Sequence, residues 1–256
     1  METRSRRVHA IEKSITLLDC FWKMRRPLSL RELEQMTGWA KSSIHGLLAS
    51  MIDSAVVEQS AVDGKYRLGY HLFELGSAVS QSWDVLPVGL PHLQHIVDTV
   101  GESAYLARLS AGELILVACE EPHNGFRVTS EAGTRLPLYC TSQGKAILAN
   151  RPASELDSLL QRKPITAYTA YSITQESKLR NELRSVRMSG VAQEVQEYKL
   201  GLKSVAAPIF DCHGECSYAV GIICISSMPE KEFAILRTAV AQAARAISTE
   251  LGWRVK

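Results

Sequence analysis

Four local signals, in a fixed order within the first 70 residues, leave this chain few folds to adopt. Apolar residues Ile11, Ile15, Leu18, Phe21 and Trp22 recur at helical spacing, which predicts a first helix. Arg25-Arg26-Pro27 ends it, because the residue before a proline is pushed out of the helical region. Ser29 and Glu32 then stand three apart, the spacing at which a hydroxyl and a carboxylate cap a helix start reciprocally. The second helix carries Leu30, Leu33 and Met36 on one face and stops at Gly38, which tolerates the left-handed conformation. Lys41-Ser42-Ser43 opens a third helix, with Ile44, Leu47, Leu48 and Met51 inward. Residues 55–59 read as a strand, Asp63-Gly64 as a hairpin turn and Tyr66-Arg67-Leu68 as the returning strand.

Helix, helix, turn, helix, hairpin is the order of a winged helix-turn-helix, and the chemistry along it suits DNA. Small polar residues at the start of the third helix let its backbone approach a groove, and Lys65 and Arg67 can lie along neighbouring phosphates. The residues expected to face DNA are Ser29, Lys41, Ser42, Ser43, His45, Lys65 and Arg67. A merely solvated surface remains open for the same residues. Charge supports an anionic partner. The first 50 residues hold nine bases, Arg4, Arg6 and Arg7 among them, against five acids, whereas the whole chain carries only +2. The longest strongly apolar stretch, 218–225, is far short of the roughly 20 residues needed to cross a bilayer. The basic N-terminus has no apolar segment behind it, so a cytoplasmic chain with its six cysteines reduced is expected.

Residues 70–83 read as a connecting helix, and the prolines at 87 and 91 mark a boundary. The predicted division is 1–69 for the winged domain, 70–86 for a linker helix and 87–256 for a second domain. In that second domain 92–100, 141–149, 153–161, 176–188 and 230–251 read as helices. Strands are expected at 103–109, 113–119, 126–130, 191–195, 203–209 and 218–226. Strands flanked by helices in this order suggest an α+β domain built on an antiparallel sheet.

Few residues carry chemistry that is legible locally. Phosphate-loop, zinc-quartet and nucleophile-elbow patterns are lacking, so no cofactor is expected. Cys212-His213-Gly214-Glu215-Cys216 suits a metal or redox sensor, or simply a hairpin turn. Cys140 or Cys224 would serve a small-molecule hydrolase only if a base reached it, and the sequence pairs neither with one. The segment 133–146 runs from a loop into a helix whose first turn holds Thr141, Ser142 and Gln143. That turn can receive a carboxylate, or only cap the helix.

Three stretches in sequence resemble the IclR-type transcriptional regulators over almost the whole chain. They are the winged helix-turn-helix, the motif Leu136-Pro137-Leu138-Tyr139-Cys140-Thr141-Ser142-Gln143-Gly144-Lys145, and the segments 190–197 and 201–209. The resemblance implies a GAF-like C-terminal domain that binds small metabolites, often organic, sugar or aromatic acids, and a dimer or tetramer on palindromic DNA. Carried over by position, it implies an effector pocket that includes Ser142, Gln143, Glu194, Ser204, Cys224 and Ser226. This chain departs from the family at several points. Glu194 stands where Asp is frequent, Ser204 where Cys is, Gln196 where Glu is, and Tyr139 where His is usual. An ionised Glu194 accepts hydrogen bonds but repels a carboxylate, which points to a hydroxyl-rich acid as ligand. The wording Pro137-Leu138-Tyr139-Cys140 and the end 246–252 look most like sugar-acid-responsive members.

Overall fold

The computed structural model describes residues 8–81, 85–123 and 128–254, and it divides into two units, Met1–Trp83 and Asp84–Lys256. In the first unit, helix α1 (His9–Met24) buries Leu17, Cys20 and Phe21, and turns off at Arg25 in the left-handed conformation. The core face is therefore rotated from the expected stripe: Ile11 and Ile15 are 62% and 53% exposed. Helix α2 (Leu30–Thr37) starts at a complete capping box. The Glu32 carboxylate accepts from the Ser29 N–H at 2.8 Å, and the Glu32 N–H donates to the Ser29 hydroxyl at 3.3 Å. It ends at Gly38, φ 70°.

Helix α3 (Lys41–Asp53) buries Ile44, Leu48 and Met51. Strands β1 (Val57–Gln59) and β2 (Tyr66–Leu68) form the antiparallel wing, and Leu28 exchanges both backbone hydrogen bonds with Tyr66 to staple the wing to the helices. Leu28, Leu33, Ile44 and Leu48 have no solvent exposure, and each contributes about 1.5–3 kcal/mol of burial. Helix α4 (Tyr70–Gln81) leaves Tyr70, Phe73 and Leu75 at 61%, 78% and 50% exposure. The continuation of the expected connecting helix to Trp83 lies outside the described residues, as do Arg4, Arg6 and Arg7.

The second unit opens with α5 (Val85–Val100). The helix runs through both prolines, just after the division between the two units. Pro87 falls in the first turn, where an N–H has no helical partner anyway, and Pro91 forfeits one backbone bond within the helix. The sheet contains β3 (Ser103–Ser110), β4 (Glu113–Glu120), β5 (Arg135–Leu136), β6 (Ala192–Val195), β7 (Leu202–Phe210) and β8 (Cys216–Ile225). Its order is β5-β4-β3-β8-β7-β6, antiparallel throughout. The strand expected at 126–130 is not formed at 128–130, and its earlier residues lie outside the described ones. The two-residue β5 takes the edge position beside β4 instead.

Helix α6 (Ser142–Leu148), helix α7 (Ala153–Arg162) and helix α8 (Glu176–Ser189) follow β5, and α9 (Glu230–Glu250) closes the chain. Strand alternation sorts the sheet into two faces. Ala192, Ala206, Gly221 and Tyr105 stand opposite one another on the face covered by α6. Lys203 and Cys224 stand on the other face, where the Lys203 ammonium lies 4.3 Å over the Phe233 ring of α9. Among the described residues, no helix is long and apolar enough to cross a membrane.

Candidate functional site

On the winged unit, α3 presents Lys41, Ser42, Ser43 and His45 to solvent, because its buried stripe of Ile44, Leu48 and Met51 lies on the opposite face. The cations beside them are held by acids. Lys41 lies 3.5 Å from Glu34, Lys65 3.7 Å from Asp63, and the Arg67 guanidinium 2.7 Å from Glu58. Exposed pairs of this kind are worth about 0–1 kcal/mol, so a phosphate can take these cations over at little cost. Ser29 has a different position. Its hydroxyl donates to Glu32 at 2.8 Å while accepting the Glu32 N–H, so the side chain is committed to the cap.

In the second unit, loop 137–141 seats α6 against the sheet. The Thr141 hydroxyl donates to the Pro137 carbonyl at 2.7 Å and accepts the Gly144 N–H at 3.3 Å. Position 144 has to be glycine: a Cβ there would stand 2.0 Å from the Leu138 carbonyl oxygen. This close seating drives the start of α6 into the β6–β7 strands. The Ser142 and Ser204 hydroxyls are 2.8 Å apart, and Ser204 donates to the Glu194 carboxylate at 2.9 Å. Glu194 also accepts the Glu197 N–H at 2.8 Å and the Tyr198 N–H at 3.1 Å. Burial pushes its carboxyl above the usual range against the pull of those three donors.

A second buried arm runs through Lys145, which has no solvent exposure. Its ammonium donates to Glu197 at 2.5 Å and to the Gln193 carbonyl at 3.1 Å, with Glu182 at 3.6 Å. Burial raises the Glu197 carboxyl, opposed chiefly by Lys145. The network borders a narrow cavity of about 40 Å³ whose walls include Leu116, Leu136, Gln143, Glu194, Tyr198, Ser204 and Ile223. Two polar atoms at this network have no hydrogen-bond partner among the described residues, Gln143 Nε2 and Glu197 Oε2. The Gln143 amide lies flat on Gly221, where a Cβ would fall 2.7 Å from Nε2. An unpaired buried donor costs about 1–3 kcal/mol, which a ligand oxygen would recover.

Comparison with known proteins agrees with both halves. The model of the IclR helix-turn-helix domain matches residues 10–61, and that of the bacterial transcriptional regulator IclR C-terminal domain matches residues 77–249. The chain belongs to the IclR family of bacterial transcriptional regulators. The transcriptional repressor IclR of Escherichia coli is 30% identical over 217 residues, 84% of this chain and 79% of the relative. The crystal structure of the Thermotoga maritima IclR is 26% identical, with a TM-score of 0.78 covering 96% of this chain and 99% of that one. An IclR homolog from Microbacterium hydrocarbonoxydans, solved in complex with 4-hydroxybenzoate, shares the fold with a TM-score of 0.83 at 22% identity, over 94% of this chain and 98% of that one.

The IclR family is one of regulators, not enzymes, and the thiols suit that. Burial pushes Cys140 and Cys224 up to about 12, far from a nucleophilic thiolate at neutral pH. Cys212 is exposed at the β7–β8 turn and Cys216 is buried in β8. Among the described residues, His, Cys, Asp and Glu form no group of three that could hold a metal.

Of the expected effector residues, the structure brings Ser142, Gln143, Glu194 and Ser204 together. Neither Cys224 nor Ser226 is in the lining of the cavity beside them. Ile223 pairs with Ser204 and shares its face, so Cys224 points the opposite way, beside Lys203. Ser226 lies beyond the end of β8, where its N–H donates to Gly201. The residues that sequence reading missed are Lys145, Glu197, Tyr198 and Ile223. Alternation along 218–226, counted from Gly221, is the one signal that could have found Ile223.

Proposed function

We propose that this regulator is controlled by a small hydroxyl-bearing carboxylate, a sugar acid being the first class to test, bound in the cavity between α6 and the β6–β7 strands. The observation that carries the reading is the pair of complementary groups left inside that cavity. Gln143 Nε2 is a donor without a partner, and Glu194 is an acceptor held by three donors. A ligand oxygen suits the first and a ligand hydroxyl the second. The ligand of the Microbacterium relative, 4-hydroxybenzoate, carries both a carboxylate and a hydroxyl, which supports the class and makes aromatic hydroxy acids the second to test. Ser204 spends its hydroxyl on Glu194, so Gln143 replaces it as the first donor to the ligand. The cavity of about 40 Å³ holds a few waters at most, so binding widens it.

At the other end of the chain, Lys41, Ser42, Ser43, His45, Lys65 and Arg67 meet a palindromic operator as part of at least a dimer. The exposed apolar residues Ile11, Ile15 and Phe73 supply apolar surface for the subunit contact. Effector binding shifts the population of linker arrangements and with it the spacing of two recognition helices, so that a catabolic operon in the cytoplasm is repressed or released. The test is calorimetric titration with sugar, keto and aromatic acids against wild type, Gln143→Leu and Glu194→Gln. Losing one matched group should weaken binding about 5- to 150-fold. A bound acid whose affinity moves by less than about twofold in both variants places the pocket elsewhere.

A further inference from the structure

Beside the inner cavity, on the outer side of the β4–β5 edge, lies a wider cleft of about 510 Å³. That is within the range of small-molecule sites, roughly 300–1,000 Å³, whereas the inner cavity is far below it. Leu136 and Tyr198 line both spaces, so these two side chains form the wall between them. Arg135, Arg162 and Lys163 surround the outer cleft, with Glu113 as the one acid in its lining. Glu113 is paired with Lys163, and the Arg162 guanidinium donates to neutral oxygens of Ser158, so the three cations of the lining outnumber its acid.

We infer that a small organic anion docks first in this outer basic cleft and passes to the inner cavity between Leu136 and Tyr198. This rests on the reading of the inner cavity as the effector site. The wall is built to move on one side. Leu136 belongs to a two-residue edge strand paired with Leu114 and Ile115 and continued by two backbone hydrogen bonds between Leu116 and residues 133–134, so this side of the wall is the firmer one and Leu136 yields less than Tyr198. The Tyr198 ring is half-buried, set edge-on to the exposed Tyr168 at 5.4 Å, with the Lys199 ammonium 5.4 Å from its centre. Its backbone N–H, by contrast, is fixed by Glu194. The ring swings while the main chain stays, and the acid that anchors the gate is the one the ligand then meets. Arg135 and Arg162 concentrate anions at the mouth, and aromatic edges of Tyr168 and Tyr198 flank the way in.

The test needs no identified effector. Ser204→Cys places a thiol of nearly the same size on the inner wall of the full chain. Its labelling by an anionic sulfonatoethyl methanethiosulfonate is compared with that by the cationic trimethylammonium reagent, the site being read by peptide mass spectrometry. Arg135→Glu combined with Arg162→Glu should lower the anionic-to-cationic rate ratio by about tenfold or more at low salt, because four units of charge change and the two reagents feel the change with opposite sign. Tyr198→Ala should speed both reagents, and Leu136→Trp should slow both. Ile223→Cys, beside Ser204 on the same sheet face, repeats the measurement should Ser204→Cys fail to fold. A ratio that ignores the charge reversal, rates that ignore Tyr198→Ala, or an inner thiol that neither reagent reaches in the folded chain would each overturn the route. If labelling follows the rim while no acid binds by calorimetry, the route stands and the effector reading falls. If an acid binds and labelling ignores the rim, the effector reading stands and the route falls.

Discussion

Glu32 in the winged domain and Glu194 in the effector domain each accept a hydrogen bond from a serine hydroxyl and bonds from backbone N–H groups, yet their surroundings push them in opposite directions. The Ser29 backbone and hydroxyl, with Arg26, hold Glu32 down to about 2 on an open surface. Burial lifts Glu194 above the carboxylate range even though three donors reach it. The difference is one of completeness. Around Glu32 the groups are neighbours in sequence and satisfy one another. Around Glu194 they come from α6, β6, β7 and the intervening turn, and two atoms nearby are left without partners. A reading head gains from local rigidity, whereas a ligand site gains from groups that only the ligand completes.

The sharpest way to break the comparison is at Lys145. Lys145→Met leaves Glu197 buried without its cation and should destabilise the effector domain by about 3–5 kcal/mol in urea unfolding, with the winged domain unaffected. The pH dependence has a definite sign. A carboxyl raised in the folded state takes up a proton that the unfolded chain does not hold at the same pH. The deficit should therefore shrink as pH falls toward the ordinary Glu value of about 4.3 and grow as it rises. A deficit that is flat between these limits would mean that Glu197 is not the group left stranded.

A smaller effect is expected at the cap. Ser29→Ala should cost about 1 kcal/mol, confined to the winged domain. NMR titration should show Glu32 rising only part of the way from about 2, because the backbone N–H of residue 29 and Arg26 remain. The sign here is reversed. What Glu32 contributes is present above the unfolded value of about 4.3 and is lost as pH falls through the folded one. Smallest in stability, though clear in binding, is the Lys41→Ala, Lys65→Ala and Arg67→Ala triple variant. Each lost phosphate contact should lower the slope of log affinity against log salt by about 0.9. An unchanged slope would move the DNA face off α3 and the wing.

The same contrast explains what could be read from the sequence. The capping box, the Gly38 stop and the Asp63-Gly64 wing depend on residues within six positions of each other, so their chemistry is visible locally. The effector network depends on strand parity and on contacts such as Lys145 with Glu197, 52 residues apart. One residue of parity separates Ile223, which lines the cavity, from Cys224, which does not. In α1 the helical period was visible, but several apolar stripes fit it, and the core took Leu17, Cys20 and Phe21. Prolines at 87 and 91 read as a break because local propensity cannot show that tertiary packing carries α5 through them: Val85, Gly89, Leu93 and Ile96 are buried along its length.

The most direct measurement is operator affinity by fluorescence anisotropy, with and without the acid selected by calorimetry, for wild type, Gln143→Leu and Glu194→Gln. In wild type the acid should shift operator affinity about 5- to 150-fold, the usual span of coupling between two sites. Both variants should bind the operator as wild type does without acid and lose most of the shift with it. An acid that shifts operator affinity equally in all three proteins would show that Gln143 and Glu194 do not couple the cavity to the DNA-binding domain.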